Sequence, residues 1–384
     1  MEILVVTWNY PPRRGGMEQL LASLCGGLSK HHRVRVITTH ADRLPASEGG
    51  NVYRAASAGL IAFFLFALRQ GSAFLRENPN IRIVFGGSVL MTPIALILAK
   101  WFGRKSVIQA HGLDLIYRNA IYQLLVVRWL RYVDGVIANS NHTASLARRK
   151  GVAENRLAVI PPGVDWQRFQ FDGDAESLKK ANGLGGKRII LFVGRLAPRK
   201  GVKEFIEGSL VHIVKQLPQA CFVIVGENPT ESLTQRDDVV GAVRRVIDKL
   251  ELSDHVRWLG GVSDDELINV YAMSDVLVLP VLAMDSDVEG FGIVALEASA
   301  AGKPVVATMA GGVPDAVAGG ESGMLVKAGD YQGLTTAIVS LLQDSRMASK
   351  LGEGGRQRAA SNFDWPIIVA RYQAVFDQLC PSLV

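Results

Sequence analysis

The first 39 residues, MEILVVTWNYPPRRGGMEQLLASLCGGLSKHHRVRVITT, hold the pattern that decides the fold. Short runs rich in β-branched residues occupy positions 3–7 and 34–39, and a longer helical pattern at 17–30 lies between them. A strand, a helix and a second strand at this spacing predict parallel strands joined by a helical crossover. The chain therefore begins as part of a Rossmann-like sheet.

The same alternation continues through the first half of the chain. Further strands are predicted at 81–85, 106–110, 135–138 and 157–160, with helices at 92–102 and 120–132. Pro161, Pro162 and Gly163 close this half, and the polar stretch 165–187 that follows has no apolar period. We expect that stretch to be a linker.

The pattern then begins again. Strands are predicted at 188–193, 221–225, 256–259, 276–279, 304–308 and 323–326, and helices at 202–216, 238–250, 292–301 and 332–343. The prediction is an α/β chain with two Rossmann-like domains, residues 1–163 and 164–364. From its pattern alone, the last amphipathic segment, which begins at Trp365, fits either domain.

Composition excludes several other classes of protein. A chain of 384 residues with 48% hydrophobic and 20% charged residues is globular and long enough for two cores. Cys25, Cys221 and Cys380 form no CxxC pair, so neither a disulfide framework nor a zinc site is expected. No basic segment precedes the first strand, so we expect a cytoplasmic protein without a cleaved leader. The apolar runs 60–68 and 91–99 fall short of the ~20 residues of a membrane span.

Charge is distributed unevenly. Residues 1–163 carry 20 Lys and Arg against 8 Asp and Glu, a net charge of +12, and the remainder carries 22 against 28, a net charge of −6. Scattered solvated charge is the common cause of such a difference, but a basic half also suits an anionic membrane or a nucleic acid. No nucleic-acid-binding module is recognisable, so a nucleic-acid partner is not expected.

Two loops between a strand and a helix are suited to phosphate. Gly15 and Gly16 precede the first helix, where free backbone N–H groups and the helix dipole favour an anion. Arg195 and the pair Arg199-Lys200 follow the strand 188–193, at the strand end where open α/β sheets bind ligands. Their cations would stabilise charge that develops on a departing pyrophosphate. The spacing in neither loop is GxGxxG.

Carboxylates mark a third segment, Glu289-Gly-Phe-Gly-Ile-Val-Ala-Leu-Glu297. A carboxylate at Glu297, inside an apolar helix, is costly unless it is paired with an Arg or bound to sugar hydroxyls. His111 follows a strand and could donate a hydrogen bond to substrate. Asp285-Ser286-Asp287 has metal-binding spacing but is typical of a solvated loop, so no metal is expected.

In combination these segments resemble the retaining glycosyltransferases of family 4, which have the GT-B fold. The most specific match is the E-x7-E motif, Glu289 to Glu297, with its EGFG opening. Other segments occur in the family's order across essentially the whole chain: Gly15-Gly16-x-Glu18, His111-Gly112, Asn139-Ser140, Pro161 to Asp165, Gly194-Arg195-Leu196, Lys200-Gly201, Gly226-Glu227, Leu259-Gly260 and Gly311-Gly312-Val313-Pro314. Pro162 stands where the family commonly has Asn.

The resemblance implies a role for each matching residue. Gly15 and Gly16 would contact the diphosphate, which Gly194, Arg195 and Lys200 would also bind. Leu259 and Val262 would hold the base, and Glu297 the ribose. The transferred sugar would meet Glu289, the backbone of Phe291, Gly292 and Ile293, and His111. The helix from Trp365 would return to the first domain, and the two domains would face each other across a cleft.

The implied function is retaining transfer of a hexose from a nucleotide-diphosphate sugar to a hydroxyl, as in polysaccharide or glycolipid biosynthesis. Pro11-Pro12-Arg13-x-Gly15-Gly16 resembles the mannosyltransferases of the family, which implies GDP-mannose as donor. The basic first half favours a glycan or lipid-linked acceptor at an anionic membrane. The donor is a substrate, and no cofactor is expected. Three alternatives remain: a UDP-hexose transferase with a soluble acceptor, a non-catalytic binder of nucleotide sugar, and an NAD-dependent oxidoreductase, which the missing GxGxxG disfavours.

Overall fold

A computed structural model describes residues 1–13, 15–39, 47–48, 51–56, 59–228 and 238–381. The chain divides into two compact units. The first contains Met1–Gly163 together with the C-terminal segment from Trp365, and the second is Val164–Asp364.

Among the described residues, the first unit is built on one eight-stranded sheet. Its strands are β1 Glu2–Val6, β2 Arg33–Thr38, β3 Ser47–Glu48, β4 Val52–Arg54, β5 Ile81–Gly86, β6 Lys105–Ala110, β7 Gly135–Ala138 and β8 Leu157–Val159. Their order across the sheet is β3-β4-β2-β1-β5-β6-β7-β8, and every pairing except β3 with β4 is parallel. The central strands are apolar on both faces because helices cover both sides.

The helices of this unit are α1 Gly16–Leu28, α2 Leu60–Glu77, α3 Thr92–Phe102, α4 Leu113–Ile116, α5 Ala120–Leu125 and α6 Asn141–Arg149, with 3-10 turns Val89–Met91, Val127–Tyr132 and Glu154–Arg156. Sequence signals fix several of their ends. Ser140 caps α6 by accepting from the Thr143 N–H, and α3 ends at Gly103 in the left-handed conformation. The C-terminal helix, Trp365–Leu379, packs against α1, and Tyr372 of that helix donates to Gln109 of β6.

The second unit contains a six-stranded parallel sheet in the part of it that is described. Its strands are β9 Arg188–Val193, β10 Ala220–Val225, β11 Val256–Gly260, β12 Val276–Leu279, β13 Val305–Met309 and β14 Gly323–Lys327, in the order β11-β10-β9-β12-β13-β14. Together with the first sheet, it confirms the predicted α/β class with two Rossmann-like sheets.

Helices cover both faces of this sheet. They are α7 Ala175–Ala181, α8 Val202–Phe205, a π-helical turn Ile206–Leu210, α9 Val211–Gln216, α10 Val239–Lys249, α11 Asp264–Met273, α12 Ile293–Ala300, α13 Val313–Ala316, α14 Tyr331–Gln343 and α15 Ser345–Asn362, with 3-10 turns Gln167–Phe169, Pro198–Lys200 and Ser253–His255. A capping box, in which Ser263 and Glu266 bond each other's backbone, begins α11.

Two expectations from the sequence were wrong. The stretch 165–187 is folded: α7 begins at its cap Asp174, and Phe169 and Leu184 are buried in the core of the second unit. The helix expected at 120–132 is two elements, because the chain departs from helical geometry at Val126 and continues as the 3-10 turn Val127–Tyr132. The fold of 165–187 was missed because apolar residues are sparse there. The break at Val126 was missed because the apolar pattern continues through it.

Within the described ranges, no helix is both long enough and apolar enough to cross a bilayer. The run 91–99 is largely core, since Ile94, Ala95, Leu96, Leu98 and Ala99 of α3 are buried. The run 60–68 differs, because Leu60, Ile61 and Leu65 of α2 are exposed.

Candidate functional site

The carboxyl ends of the strands in the second unit carry glycines that let loops approach one another. Gly194, Gly226 and Gly260 follow or end β9, β10 and β11, and all three have positive φ. A Cβ on Gly226 would stand 1.9 Å from the carbonyl oxygen of Gly194. Only glycine permits this approach, which brings three strand ends together at one edge of the sheet.

A short turn places Lys200 at the same edge. The 3-10 turn Pro198–Lys200 ends at Gly201, whose φ is 67°. A Cβ on Gly201 would lie 2.0 Å from the Pro280 carbonyl oxygen, and the Leu282 N–H donates to the Arg199 carbonyl at 2.8 Å. The loop after β9 is thereby fixed against the loop after β12.

These two loops bring together the carboxylate and cations that the sequence singled out. Glu289 lies 2.7 Å from Lys200 Nζ and 2.9 Å from Arg199 Nη1, and all three side chains are close to buried. Burial raises the pKa of the Glu289 carboxyl, but attraction by Lys200 and then by Arg199 outweighs burial and lowers that pKa to about 2. Glu289 is therefore an anion throughout the neutral range.

Asp287 belongs to the same cluster. Arg199 Nε donates to its carboxylate at 3.1 Å, so one guanidinium joins Asp287 and Glu289. The sequence suggested a solvated loop for Asp285-Ser286-Asp287, and for Asp287 this was wrong, because its side chain is buried and paired. Among the described residues, no three His, Cys, Asp or Glu side chains are grouped so that they could hold a metal ion.

Arg195 differs from its neighbours in exposure. Its side chain is exposed, and no ion pair or hydrogen bond of that side chain is found among the described residues. With Arg195, Arg199 and Lys200 set against Asp287 and Glu289, the cluster carries a formal net charge of +1 (three cations, two anions). An anion at this edge of the sheet would meet a positive site with one cation still available.

The backbone around Glu289 is also fixed. The Gly312 N–H donates to the Glu289 carbonyl at 2.8 Å, and a Cβ on Gly311 would stand 2.3 Å from that oxygen. The Gly311-Gly312 pair therefore holds the segment that leads to α12.

The N-terminus of α12 presents backbone donors. Gly292 precedes α12 with a φ of 92°, and Phe291 points into the core. In the described part of the chain, no acceptor is found for the N–H groups of Phe291, Gly292 and Ile293. Successive free N–H groups at a helix start suit an oxygen of a sugar or a phosphate.

Glu297 lies within α12 and is buried. Its Oε2 accepts from the Tyr271 hydroxyl at 2.7 Å, and no arginine forms an ion pair with it among the described residues. Burial raises the pKa of Glu297, and the Tyr271 hydrogen bond offsets only part of this effect. A salt bridge to an arginine of the described residues therefore does not explain why the Glu297 carboxylate is buried.

Leu259 and Val262 flank the end of β11 and pack partly against the core. Beside them is a cavity of ≈ 280 Å³ lined by Glu227, Val240, Arg244, Trp258, Leu259 and Gly260. Glu227 is held there by the Gly261 N–H, which donates to Oε1 at 3.1 Å. This end of β11 therefore offers an apolar edge beside an anchored carboxylate.

The remaining predicted site residues lie in the first unit. Gly15 precedes α1, which begins at Gly16, and a Cβ on Gly15 would meet Glu18 Oε2 at 2.5 Å. Asn9 Nδ2 holds the other Glu18 oxygen at 2.7 Å. A carboxylate therefore already lies over the glycine turn, and an approaching phosphate must share the start of α1 with it.

His111 is buried at the end of β6. Its Nε2 lies 2.9 Å from the Gly87 carbonyl oxygen, which can only accept, so Nε2 carries the hydrogen. Because Nε2 is used in this way, Nδ1 is the ring nitrogen that remains for contact with a substrate. The His111 N–H donates to Asp114 at 3.0 Å, which fixes the start of α4.

Glu18, Tyr271 and Asp287 take part in these contacts but were not among the predicted binding residues, whereas Arg199 was predicted only as a cation beside the diphosphate and not as a partner of Glu289. Asp287 precedes Glu289 by two positions, so its nearness in sequence was a usable signal. Tyr271 carried no such signal, because it approaches Glu297 from α11, 26 positions away.

Two family models match this chain along most of its length. "Glycosyltransferase Family 4" matches residues 14–168, and "Glycosyl transferases group 1" matches residues 174–358. The chain belongs to glycosyltransferase family 4. It is therefore a glycosyltransferase, as the sequence predicted.

Relatives of this glycosyltransferase extend over nearly its whole length. A "GDP-mannose-dependent alpha-(1-6)-phosphatidylinositol monomannoside mannosyltransferase" of Mycolicibacterium smegmatis is 31% identical, with 94% of this chain and 95% of the relative aligned. A protein of the same description from Mycobacterium tuberculosis is 30% identical over 96% of both chains. A glycogen synthase of M. tuberculosis is 28% identical, with 98% of this chain and 94% of the relative aligned.

Solved structures support the fold. Anabaena Alr3699/HepE in complex with UDP has a TM-score of 0.79 at 21% identity and covers 98% of this chain and 100% of its own. A sucrose-phosphate synthase from Thermosynechococcus elongatus also has a TM-score of 0.79, at 24% identity and 98% coverage of both chains. The glycosyltransferase therefore has the GT-B fold.

Proposed function

We propose that this glycosyltransferase transfers mannose from GDP-mannose, with retention of configuration, to a hydroxyl of a glycan or lipid-linked acceptor. The observation that carries the proposal is the cluster of Glu289 with Lys200 at 2.7 Å, beside the exposed Arg195 and the three free N–H groups that begin α12. The relatives at 30% and 31% identity that use GDP-mannose support this choice of donor.

Each group in the second unit has a chemical task in this proposal. Arg195 and Lys200 bind the diphosphate and stabilise the charge that it gains as the sugar bond breaks, with Gly194 as the adjacent backbone. Glu289 and the N–H groups of Phe291, Gly292 and Ile293 bind hydroxyls of the hexose. Glu297 binds the ribose hydroxyls, and Leu259 and Val262 border the base.

The state of Glu289 constrains the mechanism. A carboxylate with a pKa of about 2, held by two cations, is a weak base and a weak nucleophile. The acceptor proton therefore passes to the departing phosphate oxygen. The acceptor oxygen attacks the anomeric carbon from the face that the diphosphate leaves, which retains the configuration.

From the first unit, the start of α1 at Gly15 and Gly16 contributes backbone donors to the diphosphate. His111 forms a hydrogen bond with a sugar hydroxyl through Nδ1. The net charge of +12 in residues 1–163 and the exposed Leu60, Ile61 and Leu65 of α2 support an acceptor at an anionic membrane surface. The enzyme would then work at the cytoplasmic face as a peripheral protein.

A UDP-hexose donor with a soluble acceptor is the second candidate. The relevant observation is the fold that this chain shares with a UDP-bound structure at a TM-score of 0.79. At 21% identity that likeness extends to the fold alone, so GDP-mannose remains the favoured donor.

Thermal unfolding with GDP, UDP or NAD tests the proposal. A ligand at 100 times its dissociation constant stabilises a protein by about 2.7 kcal/mol. We expect GDP to stabilise the enzyme, and Glu297→Ala to remove the effect. Glu207→Ala, which changes an exposed carboxylate of the same unit, is the matched control and should keep it. Stabilisation by UDP alone would favour the second candidate, and stabilisation by NAD alone would exclude both.

A further inference from the structure

The first unit exposes a group of large apolar side chains that its fold does not need. Six lie between residues 101 and 132 and are 45% to 69% exposed: Trp101, Ile121, Leu124, Leu125, Trp129 and Tyr132. We call this group the Trp101–Tyr132 surface. Single exposed apolar residues are common on soluble proteins, but a group of this size with two tryptophans indicates an interaction site.

Three adjoining elements carry the surface. Trp101 lies near the end of α3, the aliphatic residues lie on α5, and Trp129 and Tyr132 lie on the 3-10 turn that follows α5 and packs against α3. The Trp129 and Tyr132 rings are 6.3 Å apart, and Lys100, next to Trp101, places its Nζ 6.0 Å from the Tyr132 ring centre. Trp129 and Lys100 thus both adjoin Tyr132, and Trp101 follows Lys100 in α3.

The geometry of the turn puts these side chains outside. Val127 and Leu130 point into the core of the first unit, so Arg128, Trp129, Arg131 and Tyr132 face outward. α5 contains no buried residue. A helix that continued to Tyr132 would distribute its side chains differently, and the break at Val126 is therefore part of how the surface is formed.

Charge identifies the partner. From Lys100 to Tyr132 the sequence has six basic residues and one acidic residue, Asp114. The Asp114 carboxylate accepts from the Val89 and His111 N–H groups, so it is occupied by the protein backbone. Lys100 and Arg128 are exposed; Lys100 lies near the Tyr132 ring, and Arg128 directly precedes Trp129 in the sequence. Trp and Tyr favour the boundary between headgroups and acyl chains, where nearby cations meet anionic headgroups.

We propose that the Trp101–Tyr132 surface docks this glycosyltransferase onto an anionic lipid bilayer. The rings and the α5 aliphatic side chains enter the headgroup boundary, and Lys100 and Arg128 contact lipid phosphates. The docking proposal rests on the proposed function only in giving a membrane-borne acceptor a place to be presented.

Co-sedimentation of the full chain with vesicles tests this. One set is phosphatidylcholine alone, and the other contains about one third phosphatidylglycerol, an anionic lipid whose headgroups supply the surface charge. We expect binding to the anionic set, and at least a tenfold loss of partitioning in Trp101→Ser/Trp129→Ser and, separately, in Lys100→Glu/Arg128→Glu. Met309→Ser, an exposed apolar residue of the second unit, is the control and should bind as the parent does. Brominated lipids should quench the parent's tryptophan fluorescence and leave the Trp101→Ser/Trp129→Ser variant unquenched.

Equal vesicle binding by the parent and both double variants would overturn the proposal. Equal binding of the parent to the two vesicle sets would also overturn it. A parent that ignores vesicles but elutes as a dimer, with monomeric variants, would assign the surface to a second copy instead. GDP stabilisation is measured on the same samples. If GDP stabilises neither the parent nor any variant while the parent still binds vesicles, the proposed function is wrong and the docking surface stands.

Discussion

Arg195 is the cation that the folded unit leaves exposed at the end of β9, whereas Lys200 and Arg199 are committed to Glu289. Arg195→Ala should therefore leave folding almost unchanged and lower kcat by about 100- to 1,000-fold, the usual effect of removing one preorganised electrostatic group. Steady-state kinetics with GDP-mannose measures this. Arg346→Ala, an exposed arginine of α15, is the control. A loss of only a few-fold would remove Arg195 from the chemical step.

Glu297 combines a structural cost with a binding role. Because burial raises its pKa, ionisation costs the folded protein stability when no ligand is bound. Glu297→Gln should therefore stabilise the ligand-free enzyme. It should also lower the affinity for GDP by about 10- to 100-fold, since hydrogen bonds to a charged group contribute about 1.5–3 kcal/mol. Thermal unfolding and calorimetric titration measure the two effects. A variant that loses stability and binds GDP normally would show that Glu297 is structural.

Arg199 tunes Glu289 without needing to touch a substrate. Arg199→Met removes one of the two cations that pair directly with Glu289, so the pKa of Glu289 rises and the acid limb of the kcat/KM profile moves to higher pH. Asp287→Asn is the matched comparison, because it keeps Arg199 on Glu289 and should leave the limb in place. Identical shifts of the acid limb in the two variants would mean that the conformation of the loop, rather than the charge of Arg199, determines the pH of that limb.

The residue scale is also where sequence reasoning was weakest. Glu289 and Lys200 were named from motifs, but their pairing was not, because the two residues lie 89 positions apart, in loops that follow different strands. The orientation of the His111 ring could not be predicted either. It depends on a hydrogen bond to the backbone carbonyl of Gly87, and a backbone group leaves no signal in the sequence.

Among the elements, the turn at Gly201 determines whether Lys200 can reach Glu289. Gly201→Ala combines a positive φ with a 2.0 Å clash against the Pro280 carbonyl. Gly183→Ala is the control, because φ there is 71° and nothing lies within 4 Å of an added Cβ. We expect the control to cost about 1–2 kcal/mol, as for any left-handed non-glycine residue, and Gly201→Ala to cost more and to impair turnover. Urea unfolding and kinetics measure both, and equal costs would refute the importance of the close approach.

The strands were readily predictable, because a buried parallel sheet requires short β-branched runs and the helices between them require longer periodic ones. β7, β9 and β12 begin and end at the predicted residues. The polar elements were not predicted. α7 begins at its cap Asp174, and its short sequence AESLKKA offers few apolar residues, of which Leu178 packs partly against the core.

For the molecule as a whole, Glu289 links stability to pH. Its folded pKa is about 2 against a reference of 4.5, so its contribution is complete above pH 4.5 and is lost as pH falls toward 2. That contribution is at most about 3–4 kcal/mol, given 1.36 kcal/mol per pKa unit and a shift of about 2.5 units. Urea unfolding between pH 3 and pH 7 should give a steeper acid loss in the parent than in Glu289→Gln. Parallel curves would show that the pair does not stabilise the fold.

The most direct test of the proposed reaction is transfer from GDP-mannose to a lipid-linked acceptor, with the product's anomeric configuration read by NMR. We expect an α-mannoside, in which the configuration of the donor is retained, from the parent and from the Arg346→Ala control, with little product from Arg195→Ala. A β-linked product would contradict the same-face mechanism. Turnover of UDP-glucose but not of GDP-mannose would contradict the choice of donor.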